Sequence, residues 1–143
     1  MFEPTSKSAI DYARKNQLEE WVHEYLCTDG NGKYLSDILK RKKIQYKEPK
    51  RISLDFIRRC AGPEPEMEFT TEEPVESFWK LVDEQAARFN TGDWDMPPFL
   101  ALDRIIDGTY GLEDGNHRYE ALKKLGINEY WVILFKPLQI ESE

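Results

Sequence analysis

The chain has 143 residues, 13% of them aromatic and 33% charged, with a net charge of −7. That is long enough for one buried core and too aromatic for a disordered chain. No apolar run nears the roughly 20 residues of a membrane span, and Cys27 and Cys60 are too few and too far apart for a disulfide framework or a zinc site.

The N-terminus lacks a basic segment followed by an apolar one, so a cytoplasmic location is expected. Residues 8–28 read as helical. Leu18, Trp21, Val22, Tyr25 and Leu26 form one apolar stripe, and Asn16 is a natural break into two helices. His23 lies off the stripe and is expected at the surface. The run Asp29-Gly30-Asn31-Gly32 reads as a turn. Leu35, Ile38 and Leu39 predict a short helix running into Lys40, Arg41, Lys42 and Lys43, cations that suit a helix C-terminus. A short strand is predicted over Lys50 to Leu54, then a helical turn over Phe56 to Cys60 capped by Asp55.

Gly62 to Glu68, with two prolines, cannot be regular helix. Thr70 or Thr71 is the expected N-cap of a helix reaching Asn90, with Val75, Phe78, Trp79, Val82, Ala86 and Phe89 inward. Thr91-Gly92-Asp93 ends it. Phe99 to Leu102 reads as a buried strand after Pro97 and Pro98. Asp107-Gly108 is a hairpin signal before an extended Thr109 to Glu113. A helix follows, closed by Gly126. Tyr130 to Phe135 is a continuous apolar strand ended by Pro137. Cys27 and Cys60 are expected as small packing residues, and Trp21, Trp79 and Trp131 as core. Trp94 is expected to be exposed and able to stack on a base.

The densest chemistry lies at Asp114-Gly115-Asn116-His117-Arg118, where strand gives way to helix. Such a turn aims free backbone N–H groups at an anion. Arg118 can grip phosphate oxygens bidentately, Gly115 permits close backbone approach, and Asn116 and His117 add donors. Asp114 can hold a metal through water, orient His117 or accept a proton. The plainer alternative makes Asn116 a helix cap, Gly115 a turn residue and Asp114 an electrostatic match to the helix N-terminus. Residues 1–62 carry 13 Lys/Arg against 9 Asp/Glu, and residues 63–143 carry 7 against 18. The half containing this turn therefore repels nucleic acid at long range, and a phosphate there needs local donors. Glu64, Glu66 and Glu68 form an acidic loop that is either a solvated connection or the source of a general base or magnesium ligand, Glu68 being preferred for its apolar neighbours Met67 and Phe69.

The pattern Pro97-Pro98-Phe99-Leu100-Ala101-Leu102, then Tyr110 to Arg118, then Ala121, Leu125-Gly126 and the strand at Tyr130 resembles the ParB/sulfiredoxin-like superfamily, also called the ParB-like nuclease domain. The resemblance covers about residues 50–137. It implies an α/β fold with a small mixed sheet, with residues 1–49 as an added helical region beside a domain of residues 50–143. Sulfiredoxins use ATP and a catalytic Cys in the equivalent turn; no Cys lies between Gly111 and Arg118. ParB proteins bind CTP and carry a separate DNA-binding helix-turn-helix domain, for which no room is expected after Phe135. The turn is most similar to that of the free serine kinases.

The resemblance thus implies a nucleotide-binding domain, a candidate phosphotransferase acting on a small molecule with ATP, ADP or CTP and magnesium. Catalytic roles are expected for Asp114 and His117 in the turn, and for Glu68 as the preferred member of the acidic loop, with nucleotide contacts from Gly115, Asn116, His117 and Arg118. The alternative is a non-enzymatic module touching nucleic acid or protein through Lys40, Arg41, Lys42 and Lys43. A nuclease is the weaker third reading.

Overall fold

Three helices open the computed structural model, which describes residues 2–28 and 32–138: α1 (Ser6–Arg14), α2 (Leu18–Thr28) and α3 (Lys33–Lys40). Thr5 closes a capping box with Ser8 at the start of α1, which satisfies amides the helix cannot. The break falls where the sequence placed it, with Asn16 at φ 57°. Asp29, Gly30 and Asn31 of the predicted turn lie outside the described residues.

Eight strands follow in chain order with two further helices. They are β1 (Ile44–Tyr46), β2 (Lys50–Ser53), β3 (Ile57–Arg59), β4 (Ala61–Gly62), β5 (Phe69–Thr70), α4 (Val75–Asn90), β6 (Phe99–Ile106), β7 (Thr109–Asp114), α5 (Asn116–Lys124) and β8 (Glu129–Pro137). The main sheet runs β1-β8-β6-β7-β3, with β2 also on β8. It is mixed: β6 is parallel to β8 and β3 to β7, while β1, β2 and the β6–β7 pair are antiparallel. β4 and β5 form a separate parallel pair. No described helix is long and apolar enough to cross a membrane.

Both faces of the sheet are covered. Trp21, Val22, Tyr25 and Leu26 of α2 pack with Leu100, Ile133 and Phe135. Phe99, Ala101, Val132 and Leu134 point the other way, onto Met96, Tyr119 and Leu122. This alternation is the period-two pleat of β6 and β8. Phe78, Val82 and Ala86 of α4 meet Ala121 of α5. β1 belongs to the same sheet as the strands after residue 50.

Several local expectations need correction. Asp55 caps no helical turn: Ser53 caps a short 3-10 turn, Leu54–Phe56, and the chain then runs extended. Ile57 and Arg59 are buried alternately, a strand period that a helix would not satisfy. Thr70 and Thr71 do not cap α4. The backbone of Thr70 is engaged in the β4–β5 pair, and the cap position is Pro74, whose fixed φ and missing N–H suit a helix start. Val75 is exposed, and Trp79 and Trp131 are only half-buried. Cys27 is exposed, whereas Cys60 is buried. The Asp107-Gly108 turn has φ 55° and 79° and closes the β6–β7 hairpin as expected.

His23 is not a surface residue. Its side chain is 11% exposed, Nδ1 lies 2.7 Å from Ser36 Oγ, and Nε2 is buried without a hydrogen-bond partner. Burial, helped by Lys40, pushes its pKa below the usual 6.5 against the weaker pull of Glu19. The unfolded chain therefore takes up this proton more readily than the fold does. Stability contributed here is present above about 6.5 and is lost as pH falls below it. Urea midpoints measured across that window are expected to fall with acid in the wild type and to flatten in His23→Gln. An identical slope in both proteins would rule this out.

Candidate functional site

The β7–α5 turn forms one wall of a cleft of about 400 Å³. Asp114 ends β7, Gly115 turns the chain, and Asn116 is the first residue of α5. Gly115, not Asn116, occupies the cap position, at φ 114°. A Cβ at Gly115 would sit 2.5 Å from Phe99 Cδ1, so both conformation and space require glycine. The opposite walls are Ala61 and Gly62 of β4, Thr71 and Glu73 before α4, and Phe78, Gln85 and Arg88 on α4. Trp94, Pro97 and Tyr25 close the remainder.

Arg118 is 8% exposed and Asp114 is 4% exposed. Arg118 Nη2 donates to Asp114 Oδ2 at 3.0 Å and to the Tyr25 hydroxyl at 2.8 Å. Tyr25 in turn donates to the same Asp114 oxygen at 2.7 Å. Arg118 Nη1 donates to the Pro97 carbonyl, and its guanidinium lies 5.2 Å from the Phe99 ring centre. The pair expected to grip phosphate and move protons is thus largely committed to α2 and the β6 approach. This buried, hydrogen-bonded ion pair fixes the turn's position, and both side chains also line the cleft.

His117 stands differently. Its Nε2 lies 3.1 and 3.2 Å from the two Glu73 carboxylate oxygens. The ring packs on Phe78, centroids 4.5 Å apart. In a neutral ring, a carboxylate at Nε2 favours the tautomer with the proton on that nitrogen, in which Nδ1 is an acceptor. Asn116 Oδ1 is buried in the cleft wall with no partner. The first amides of α5 have no partner within the helix, and Gly115, Asn116, His117 and Arg118 at that end all line the cleft.

Glu68 is exposed, pairs with Arg58 at 3.3 Å and does not line the cleft. Glu64 is bonded to Arg59. Burial pushes its carboxyl up, but the hydrogen bond from Arg59 leaves it below the usual range. Glu66 is exposed. The carboxylate the structure does bring to the turn is Glu73, 44 residues before His117. Its only sequence signal is its place just ahead of Pro74 and the helix. Trp94 is half-buried, with the Arg88 guanidinium 4.0 Å over its ring. Lys40, Arg41, Lys42 and Lys43 are exposed at the end of α3, away from the cleft lining. No group of three or more His, Cys, Asp or Glu able to hold a metal occurs among the described residues.

No family model matches the chain, and no curated protein matches it. In fold it is similar to sulfiredoxin from Arabidopsis thaliana: 26% identity, TM-score 0.44, over 62% of this chain and 84% of that one. A free serine kinase mutant in complex with AMP gives 22% identity and TM-score 0.45 over 71% of this chain. A ParB-N domain gives 18% and 0.40 over 66%. The chain spans 34% and 30% of the length of those two.

Proposed function

We propose that the cleft binds a nucleotide through its phosphates and transfers a phosphoryl group to the hydroxyl of a small molecule. The observation that carries this reading is the Glu73–His117 pair, held at 3.1 Å beside the open N-terminus of α5. The α5 amides favour the phosphate charge, and the buried Asn116 Oδ1 has no partner until a ligand arrives. His117 Nδ1 takes the acceptor's hydroxyl proton as its oxygen attacks the terminal phosphorus. The bond from that phosphorus to the departing nucleoside diphosphate oxygen then breaks. Arg118 and Gly115 contribute by holding the turn.

Magnesium enters as part of the nucleotide substrate, held chiefly by the phosphates. The donors this chain offers beside it are Glu73 and Asn116. The same cleft with an inactive acid–base pair would be a nucleotide-binding module without transfer activity.

Titration calorimetry with ATP, ADP and CTP, each with magnesium, tests the reading. Saturable binding of at least one is expected, competed by the others. Absence of binding at millimolar concentration overturns it.

A further inference from the structure

The inward stripe of α4 contains one residue of the wrong polarity. Phe78, Val82 and Ala86 are buried and Phe89 half-buried, and Gln85 falls on the same stripe, seven positions after Phe78. That spacing is two helical turns on one face. Its Oε1 is buried with no hydrogen-bond partner. A leucine would fill this place without leaving an acceptor desolvated and unpaired. The amide therefore calls for a partner that the folded chain does not supply.

Gln85 lines the cleft, as do Arg88 and Trp94. Arg88 follows Gln85 by three residues and is its neighbour on the helix surface. Its guanidinium carbon lies 4.0 Å from the centre of the Trp94 ring. An amide edge beside a stacked planar group is chemistry suited to a nucleobase. The amide matches an N–H donor and adjacent acceptor on the base edge, and planar groups stack on the base face.

The two ends of the cleft are separated along α4. Phe78 packs on His117, and at 1.5 Å per residue Gln85 stands about 10 Å further along the helix. Phosphate and base of one nucleotide are likewise apart. We infer that Gln85 reads the edge of the nucleobase, with the Arg88–Trp94 stack supporting its plane. This rests on the nucleotide reading above.

The experiment compares nucleoside triphosphates with inorganic tripolyphosphate, both with magnesium, in the wild type and in Gln85→Leu. The wild type should bind at least one nucleoside triphosphate more tightly than tripolyphosphate. Gln85→Leu should lose about tenfold or more in nucleotide affinity and keep its tripolyphosphate affinity. Its melting temperature should not fall, since an unpaired buried acceptor has been removed, so a lost fold is recognisable. Trp94→Phe should weaken nucleotide binding less and also spare tripolyphosphate.

Equal wild-type affinity for nucleotide and tripolyphosphate overturns the base subsite and leaves the phosphate reading standing. So does a Gln85→Leu protein with unchanged nucleotide affinity, or one weakened equally for both ligands. Failure of the wild type to bind either ligand overturns the phosphate reading, and the inference with it.

Discussion

Replacing Glu73 with Gln lowers the rate of phosphoryl transfer by about 10²–10⁴-fold, the range set by a positioned acid–base group. The carboxylate lies 3.1 Å from His117 Nε2, and a neutral amide there no longer fixes which ring nitrogen carries the proton. The substitution is nearly isosteric, and a binding titration separates a weakened magnesium-nucleotide contact, read as lost affinity, from lost proton transfer, read as a slower rate at saturating nucleotide. The measurement is ADP release from ATP with water or a small alcohol as acceptor, beside a binding titration. His117→Ala should be as slow, and the double variant no slower than either single one, since the two act as a unit. Additive losses would show that the residues work separately. An unchanged rate in Glu73→Gln would remove the pair from the chemistry.

Replacing Arg118 with Leu destabilises the fold by about 3–5 kcal/mol, the cost of leaving a buried carboxylate without its cation. Asp114, 4% exposed, would keep only the Tyr25 hydroxyl and not the guanidinium among the bonds described. In a chain of this length that is a drop of about 10–20 °C in melting temperature. The double variant Arg118→Leu with Asp114→Asn should recover part of it, because the stranded charge is gone. The sequence assigned Arg118 to phosphate, and that assignment predicts the reverse: full stability with nucleotide binding lost. Thermal melts and titrations on the same two proteins separate the alternatives.

The contrast between these residues shows where sequence reasoning stops. The turn itself was legible because its signals are local. A glycine between a strand and a helix, followed by polar residues, says where the chain bends and which backbone groups are free. Burial is not local. Arg118 and His117 are adjacent and both line the cleft, yet Arg118 is buried against Tyr25 and Asp114 while His117 is partly exposed and paired with Glu73. Glu73 was invisible because its reach to His117 depends on how α4 docks on α5. Tyr25 was correctly placed on the apolar stripe of α2, but its hydroxyl completes the wall of the site from a region read as an extension. Strand β3 was missed because its three residues are too short to show a period; it is held by pairing with β7. Gln85, by contrast, was open to detection as a polar interruption of a helical stripe.

The position of β8 has a consequence for synthesis. Three strands, β1, β2 and β6, pair with β8, and all three precede it in the chain. Trp21, Val22 and Leu26 are covered partly by its Ile133 and Phe135. On a translating ribosome, roughly a hundred residues must be added between the first of these groups and their cover, about 5–20 s at ordinary elongation rates. Through that interval α2 exposes an indole and two aliphatic side chains that the finished sheet will hide. The chain is therefore most open to chaperone capture, and to self-association, before its apolar strand leaves the exit tunnel.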